Sequence, residues 1–379
     1  MITSFDRIRR GRLPWGLLGA AVLVLLGESF LAVRDIAFTS PLLSSWSMGG
    51  ESLRREAPRA EVLCLGDSLL KFGVAPRVLE ERLGRRAYNG GVLANSPTMT
   101  YFLARRAIEA GARPRALVVE FNPMFLDGPP FGSRQWVEMI GPRECLDLAW
   151  TGRDAGFFAR TMTGRLFRSV RRRFEVRENI MAALRGEVSS MPPIIHATWR
   201  NGNVNRGALL MPPYGPVGTV DPANLTAEFA RPNWTCDPVQ EHYLRRLLML
   251  AEAHAVPVVW LVPPVSPAVQ AVRDQVAMEE PHSQFLRSLQ ARFPGLVVVD
   301  GRRCGYDGPA FTDPLHLSAR GASALSIDLA EALRPIVEGR EAGPRWVNLP
   351  PYRERPVGVP LEDLNQSRTA LNHRKTAIR

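Results

Sequence analysis

Three segments of this chain are apolar almost without a break and rich in β-branched residues: 116–121 (ALVVEF), 256–262 (VPVVWLV) and 296–300 (LVVVD). A strand with one wet face alternates polar and apolar residues. A continuous run belongs to a strand that is dry on both faces, inside a parallel sheet covered by helices. Two shorter β-rich runs come first, at 61–65 (EVLCL) and 86–89 (RAYN). Helical patterns separate the runs, at 76–83, 99–110, 239–253 and 319–333. Alternating strands and helices predict an α/β fold with crossover helices and a mainly parallel, five-stranded sheet. A 45% hydrophobic and 22% charged composition excludes a disordered chain and a polytopic membrane protein. No internal repeat is present.

The N-terminus predicts the compartment. Arg7, Arg9, Arg10 and Arg12 face one acid, Asp6, and an apolar stretch follows from residue 13 to 27, then Glu28, then 29–33. A basic flank before an apolar run reads as a secretory signal or a signal anchor. No clear small-residue cleavage site follows, so an uncleaved single-pass transmembrane helix is expected. The positive-inside rule keeps the arginines in the cytoplasm and places the rest outside. Spanning a bilayer takes about 20 apolar residues, which 13–33 supplies if Glu28 sits at the far interface. The expected organisation is a flank and anchor at 1–34, a polar stalk at 35–58 and an α/β domain at 59–340. About 127–238 is read as an insert over the sheet's C-terminal edge, and 341–379 as an extended tail.

Basic residues outnumber acids 48 to 37, a formal charge of +11. All but two of these cations, Lys71 and Lys375, are arginine. That skew is as consistent with codon bias as with selection for a polyanion, and export argues against nucleic acid as a partner.

Two short motifs carry chemistry. The first is 63–70, LCLGDSLL, where a strand runs directly into Gly66-Asp67-Ser68 and a helix starts. This puts Ser68 at the C-terminal edge of the sheet, where open α/β folds bind ligands, and beside helix N–H groups that stabilise an oxyanion. Read plainly, Asp67 and Ser68 are also favoured helix caps. The second is 311–317, FTDPLHL, with Asp313 and His316 three residues apart after the last strand. A serine nucleophile needs a base, and the base needs a carboxylate that fixes its tautomer. His316 and Asp313 suit those roles, although an Asp-x-x-His in a loop is by itself a weak sign.

Together these blocks resemble the SGNH (GDSL) hydrolase family, over roughly residues 60–125 and 255–335. The resemblance implies a flavodoxin-like, three-layer α/β/α fold and acyl-enzyme chemistry on esters; no cofactor and no metal are expected, since the sequence has no close histidine cluster, no Walker loop and no dinucleotide fingerprint. It implies Ser68 as nucleophile, His316 as base and Asp313 as orienting acid. Membrane-anchored relatives take part in acylating cell-envelope polymers. Two further family blocks match less well. Ala94 stands where the family has a glycine that donates its N–H to the oxyanion, with Gly90, Gly91 and Asn95 as alternative donors or turn formers. The third block's amide is matched only by Asn122, which comes about two residues early.

Other features have plainer explanations beside functional ones. Arg160, Arg165, Arg168, Arg171, Arg172, Arg173 and Arg177, interleaved with Phe167, Val170 and Phe174, read as a solvated helix face or as a site for lipid headgroups or acidic glycan. Residues 199–205 (WRNGNVN) read as a loop or as a sugar contact. Cys145 and Cys236 are a candidate disulfide inside the insert. The expected function is a serine ester hydrolase or O-acyltransferase. Its expected partners are an acyl ester or glycan substrate, the membrane and a membrane acyl-donor protein. The alternative is a catalytically weak polysaccharide-binding or assembly factor of the same fold.

Overall fold

The computed structural model describes residues 15–34, 39–132, 134–187, 191–213, 225–226, 229–340 and 343–376. The basic flank at 1–12 lies outside the described residues. Helix α1 (Trp15–Val33) follows it, with a mean hydropathy of 2.1 and leucines and valines exposed along its length. At about 1.5 Å per residue its 19 residues reach close to the ~30 Å of a hydrocarbon core. Glu28 accepts the N–H groups of Arg168 (2.5 Å) and Ser169 (3.2 Å), at the start of the Arg168–Arg171 helix. The one acid in the apolar helix thus caps a helix of the insert.

Of the segment expected to be a stalk, 35–38 lies outside the described residues, and 39–58 is not irregular. Ser40 caps α2 (Pro41–Glu56), whose Leu43, Trp46 and Leu53 are buried in the main core. Then come β1 (Val62–Leu65), α3 (Ser68–Gly73), α4 (Pro76–Leu83), β2 (Ala87–Asn89), α5 (Pro97–Glu109) and β3 (Ala116–Val119). After the insert come β4 (Val258–Val262), β5 (Leu296–Asp300) and β6 (Trp346–Asn348). All pairings are parallel, in the order β2-β1-β3-β4-β5-β6. The sheet has six strands rather than five. The sixth pairs Val298 with Trp346 inside the segment expected to be tail. That segment also folds back as the helix Leu364–Thr376. It is tied to the Met191–Val204 helix by Arg200–Glu362 (2.7 Å) and by Asn201 and Asn205 amides donating to the Glu362 carbonyl (2.7 Å each).

The strand faces alternate as their composition requires. Leu63, Leu117, Trp260 and Val298 face α2, α5 and the helices Pro238–Ala253 and Glu279–Arg292. Cys64, Val118, Leu261 and Val299 face α3, α4 and the helix Ala319–Val337. The insert is less a separate cap than an extension of the first core, which includes its Trp136, Cys145 and Phe157. Its arginine-rich part is helical, over Ala155–Leu166, Arg168–Arg171 and Arg173–Leu184. Cys145 and Cys236 are separate thiols, so the candidate disulfide is not formed.

From β1 the chain crosses one way to β2 and then the other way to β3. Between the C-terminal ends of β1 and β3 the direction of winding switches, which opens a crevice at the sheet edge.

Candidate active site

Gly66 follows β1 where the chain passes closest to the exit of β3. A Cβ there would lie 2.7 Å from the Glu120 carbonyl oxygen and 3.0 Å from its carboxylate. Only glycine permits that approach. The Gly66 carbonyl accepts the Val92 N–H and the Asn95 side-chain amide, each at 2.9 Å. Asp67 is the cap of α3: its Oδ1 accepts the Leu69 N–H (2.7 Å) and its Oδ2 the Asn122 N–H (3.1 Å). With Asp67 as cap, Ser68 becomes the first helical residue and its hydroxyl is left for another partner.

That partner is His316, whose Nε2 lies 2.8 Å from Ser68 Oγ. His316 Nδ1 sits 2.8 Å from Asp313 Oδ2 and 3.0 Å from Oδ1. Asp313 Oδ1 also accepts the Leu315 and His316 N–H groups, each at 2.8 Å, so the turn fixes carboxylate and ring together. A bridge between Phe311 and Leu317 closes this loop, and Phe72 packs edge-on against the imidazole at 4.8 Å. Burial alone would raise the Asp313 carboxyl, but the hydrogen bond and charge of His316 and the two N–H donors outweigh it. Asp313 is held below the ordinary carboxylate range. Its anionic form therefore faces Nδ1, which carries the proton and leaves Nε2 as the acceptor toward Ser68.

Of the five residues named for the oxyanion, Gly90 is already spent, its N–H donating to the Cys64 carbonyl at 2.8 Å, and the other four divide evenly. Ala94 has φ +52°, the left-handed region that favours glycine. The loop is held there by Trp46, whose ring N–H donates to the Leu93 carbonyl at 2.7 Å. Neither the Ala94 N–H nor the Ser68 N–H has an acceptor among the described residues. Asn122 is buried, and its Oδ1 is engaged by the Met124 N–H (3.2 Å) and by Arg273 (3.5 Å). Its Nδ2 is left without a partner. Gly91 and Asn95 are different. The Gly91 N–H is spent on Asn89 Oδ1 at 2.9 Å. The Asn95 amide is spent on Gly66 and on Thr100 Oγ1 (2.8 Å). Gly91 by its backbone and Asn95 by its side chain thus shape the turn.

Glu120 was not singled out from the sequence. It is fully buried behind the turn, and its Oε2 accepts the N–H groups of Asp67 and Leu70 at 3.2 Å each. Its Oε1 has no partner. Burial and the neighbouring Asp67 charge push the Glu120 carboxyl well above its usual range, and burial raises Asp67 too. Both shifts favour a proton shared within the pair, and the stronger push is on Glu120. The one signal in the sequence was an acid inside an otherwise apolar run, ALVVEF.

A carboxyl whose pKa is higher in the folded than in the unfolded state makes folding take up a proton. Stability is then full below the unfolded value and falls as pH rises through the folded one. Glu120→Gln keeps a neutral hydrogen-bonding group of the same shape and removes that titration. Denaturation of the full chain in detergent at pH 5 and pH 8 should show the variant losing less stability than the wild type. Equal losses would sink the assignment of the proton.

Among the described residues no group of three His, Cys, Asp or Glu has an arrangement that holds a metal. No protein-family model matches this chain, and no curated protein sequence matches it.

Proposed function

We propose that this chain is an SGNH-type serine ester hydrolase or O-acyltransferase, anchored by α1 and working outside the cytoplasmic membrane on an ester of an envelope glycan or similar molecule. The carrying observation is the 2.8 Å contact between His316 and Ser68, with Asp313 on the far ring nitrogen. The strand order supports the reading: β2-β1-β3-β4-β5 is the flavodoxin-like order, with β6 added at one edge. Helices on both faces of that sheet support the three-layer arrangement.

In this reading Ser68 Oγ attacks the acyl carbonyl while His316 Nε2 takes its proton. The oxyanion meets the N–H groups of Ser68 and Ala94, with Asn122 Nδ2 as a third donor. His316 then protonates the leaving alcohol, and Ser68 holds the acyl group. Water, or a sugar hydroxyl, enters by the reverse sequence. Hydrolysis and transfer share every group up to that last acceptor, and a membrane acyl-donor protein would serve the transfer case. The alternative, a catalytically weak binding or assembly factor, calls for Ser68 and His316 held out of reach of each other, so their contact favours the enzyme.

A membrane-impermeant fluorophosphonate applied to intact spheroplasts tests the chemistry and the side at once, with the adduct located by mass spectrometry. The expected adduct is on Ser68 and is absent from Ser68→Ala. Labelling only after lysis would place the domain inside. No labelling of the folded protein would refute the activated serine.

A further inference from the structure

A cavity of about 110 Å³ lies between α2, α3, β2 and the Met191–Val204 helix, apart from the Ser68–His316–Asp313 contacts. Lys71 lines it, three residues beyond Ser68 on the same helix. Its ammonium has no hydrogen-bond or ion-pair partner among the described residues. The other cations of the wall are already engaged: Arg55 with Glu56 at 3.1 Å, and Arg206 with Glu80 at 3.6 Å. Glu56, the one acid in the wall, is taken by Arg55, so of these three cations Lys71 is the one left without a carboxylate among the described residues. Tyr88 adds a phenol that burial keeps neutral, its pKa pushed up to about 12. Ser45, also in the wall, is buried with its Oγ unpartnered. Trp199, from the segment 199–205, completes an apolar side, its ring N–H held by Ser44 Oγ at 2.6 Å.

The geometry points to a binding subsite for one anionic substituent of a ligand, a carboxylate or a phosphate, received by Lys71 with Ser45 as an additional donor. A cavity on the order of 150 Å³ holds a benzene ring, so this one takes a substituent and leaves the body of the ligand outside. An ammonium in a cavity wall without a counter-charge is disfavoured, and burial lowers the Lys71 pKa to about 8. An anion that enters restores the pairing and returns the pKa upward. Occupation of this cavity is independent of whether Ser68 turns over.

Because the chain has two lysines, its side-chain ammonium chemistry can be read without crowding. The full chain, labelled with ¹³Cε-lysine and held in a neutral maltoside detergent, should give two titrating signals. Lys375→Arg removes one and assigns the other. At matched ionic strength, D-glucuronate and inorganic phosphate are added in separate arms, with D-glucose as the neutral arm. The expected result is a rise of about one unit or more in the Lys71 midpoint with an anion and none with glucose. A rise with glucuronate alone assigns a carboxylate, and a rise with phosphate alone assigns a phosphoryl group. A midpoint unmoved by both anions, or moved equally by glucose, overturns the subsite.

Discussion

Asp313→Asn should cut the turnover of a simple ester such as p-nitrophenyl acetate by about 10⁴-fold while the fold is kept. The reason lies in how Asp313 is used twice. Oδ1 accepts two backbone N–H groups, and an asparagine oxygen can keep both. The amide nitrogen then faces His316 Nδ1 and makes it an acceptor. The ring proton moves to Nε2 and points at Ser68 Oγ, so the base can no longer take the serine's proton. Ser68→Ala should fall further, by about 10⁶-fold if the three groups act as a unit. The combined Ser68→Ala, Asp313→Asn protein should be no slower than Ser68→Ala alone. Thermal unfolding of each variant is the control. An asparagine variant that keeps a tenth of wild-type turnover would show that the His316–Asp313 pair does not serve a base.

Gly66→Ala should damage stability and chemistry together. The added Cβ meets a backbone oxygen of Glu120 at 2.7 Å and the Glu120 carboxylate at 3.0 Å, and neither is the loose end of a flexible chain. The ends of β1 and β3 must part. Overpacking of this kind costs about 1–3 kcal/mol. The same movement carries the Asp67 cap and Ser68 away from His316. A misplacement of about 1 Å at a reacting atom is worth on the order of 10²-fold in rate. Gly50→Ala is the matched control: it lies in α2 with nothing within 4 Å of the new methyl. There alanine should stabilise the helix by about 0.5–1 kcal/mol and leave turnover alone. Denaturation and ester hydrolysis on the same preparations give the check. Two variants that behave alike would remove the claim that the crossing at Gly66 sets the nucleophile.

The parts legible in the sequence were those with strong local chemistry. The apolar runs of β3, β4 and β5 announce doubly buried strands. Gly66-Asp67-Ser68 and the Asp313–His316 spacing announce turns that present side chains. What was missed owes its structure to partners far along the chain. Leu43, Trp46 and Leu53 lie at helical spacing in α2, but serines and the Gly49-Gly50 pair between them hide the stripe. The helix persists because that stripe is buried against the core. Three residues of β6 are too few for any period, and it is the β5 edge that makes them a strand. Glu120 looked like an ordinary strand end, and only the fold brings it under Asp67. Gly91 and Asn95 looked like donors because a sequence does not show which N–H groups are already spent.

The sheet has a seam. β3 ends at Val119 and β4 begins at Val258, close to 140 residues later, and the two are hydrogen-bonded neighbours. Ser68 belongs to the half before the seam, and Asp313 and His316 to the half after it. Bringing the ends of so long a loop together costs about 4 kcal/mol of chain entropy, offset in part by the helices the insert forms within itself. Pairings of such high contact order form late in folding. Until they do, the serine is an ordinary alcohol with no base beside it. On the proposed reading, a chain emerging unfolded through a membrane pore would pass acyl esters without reacting, because the contact of Ser68 with His316 belongs to the finished sheet and to neither half of it.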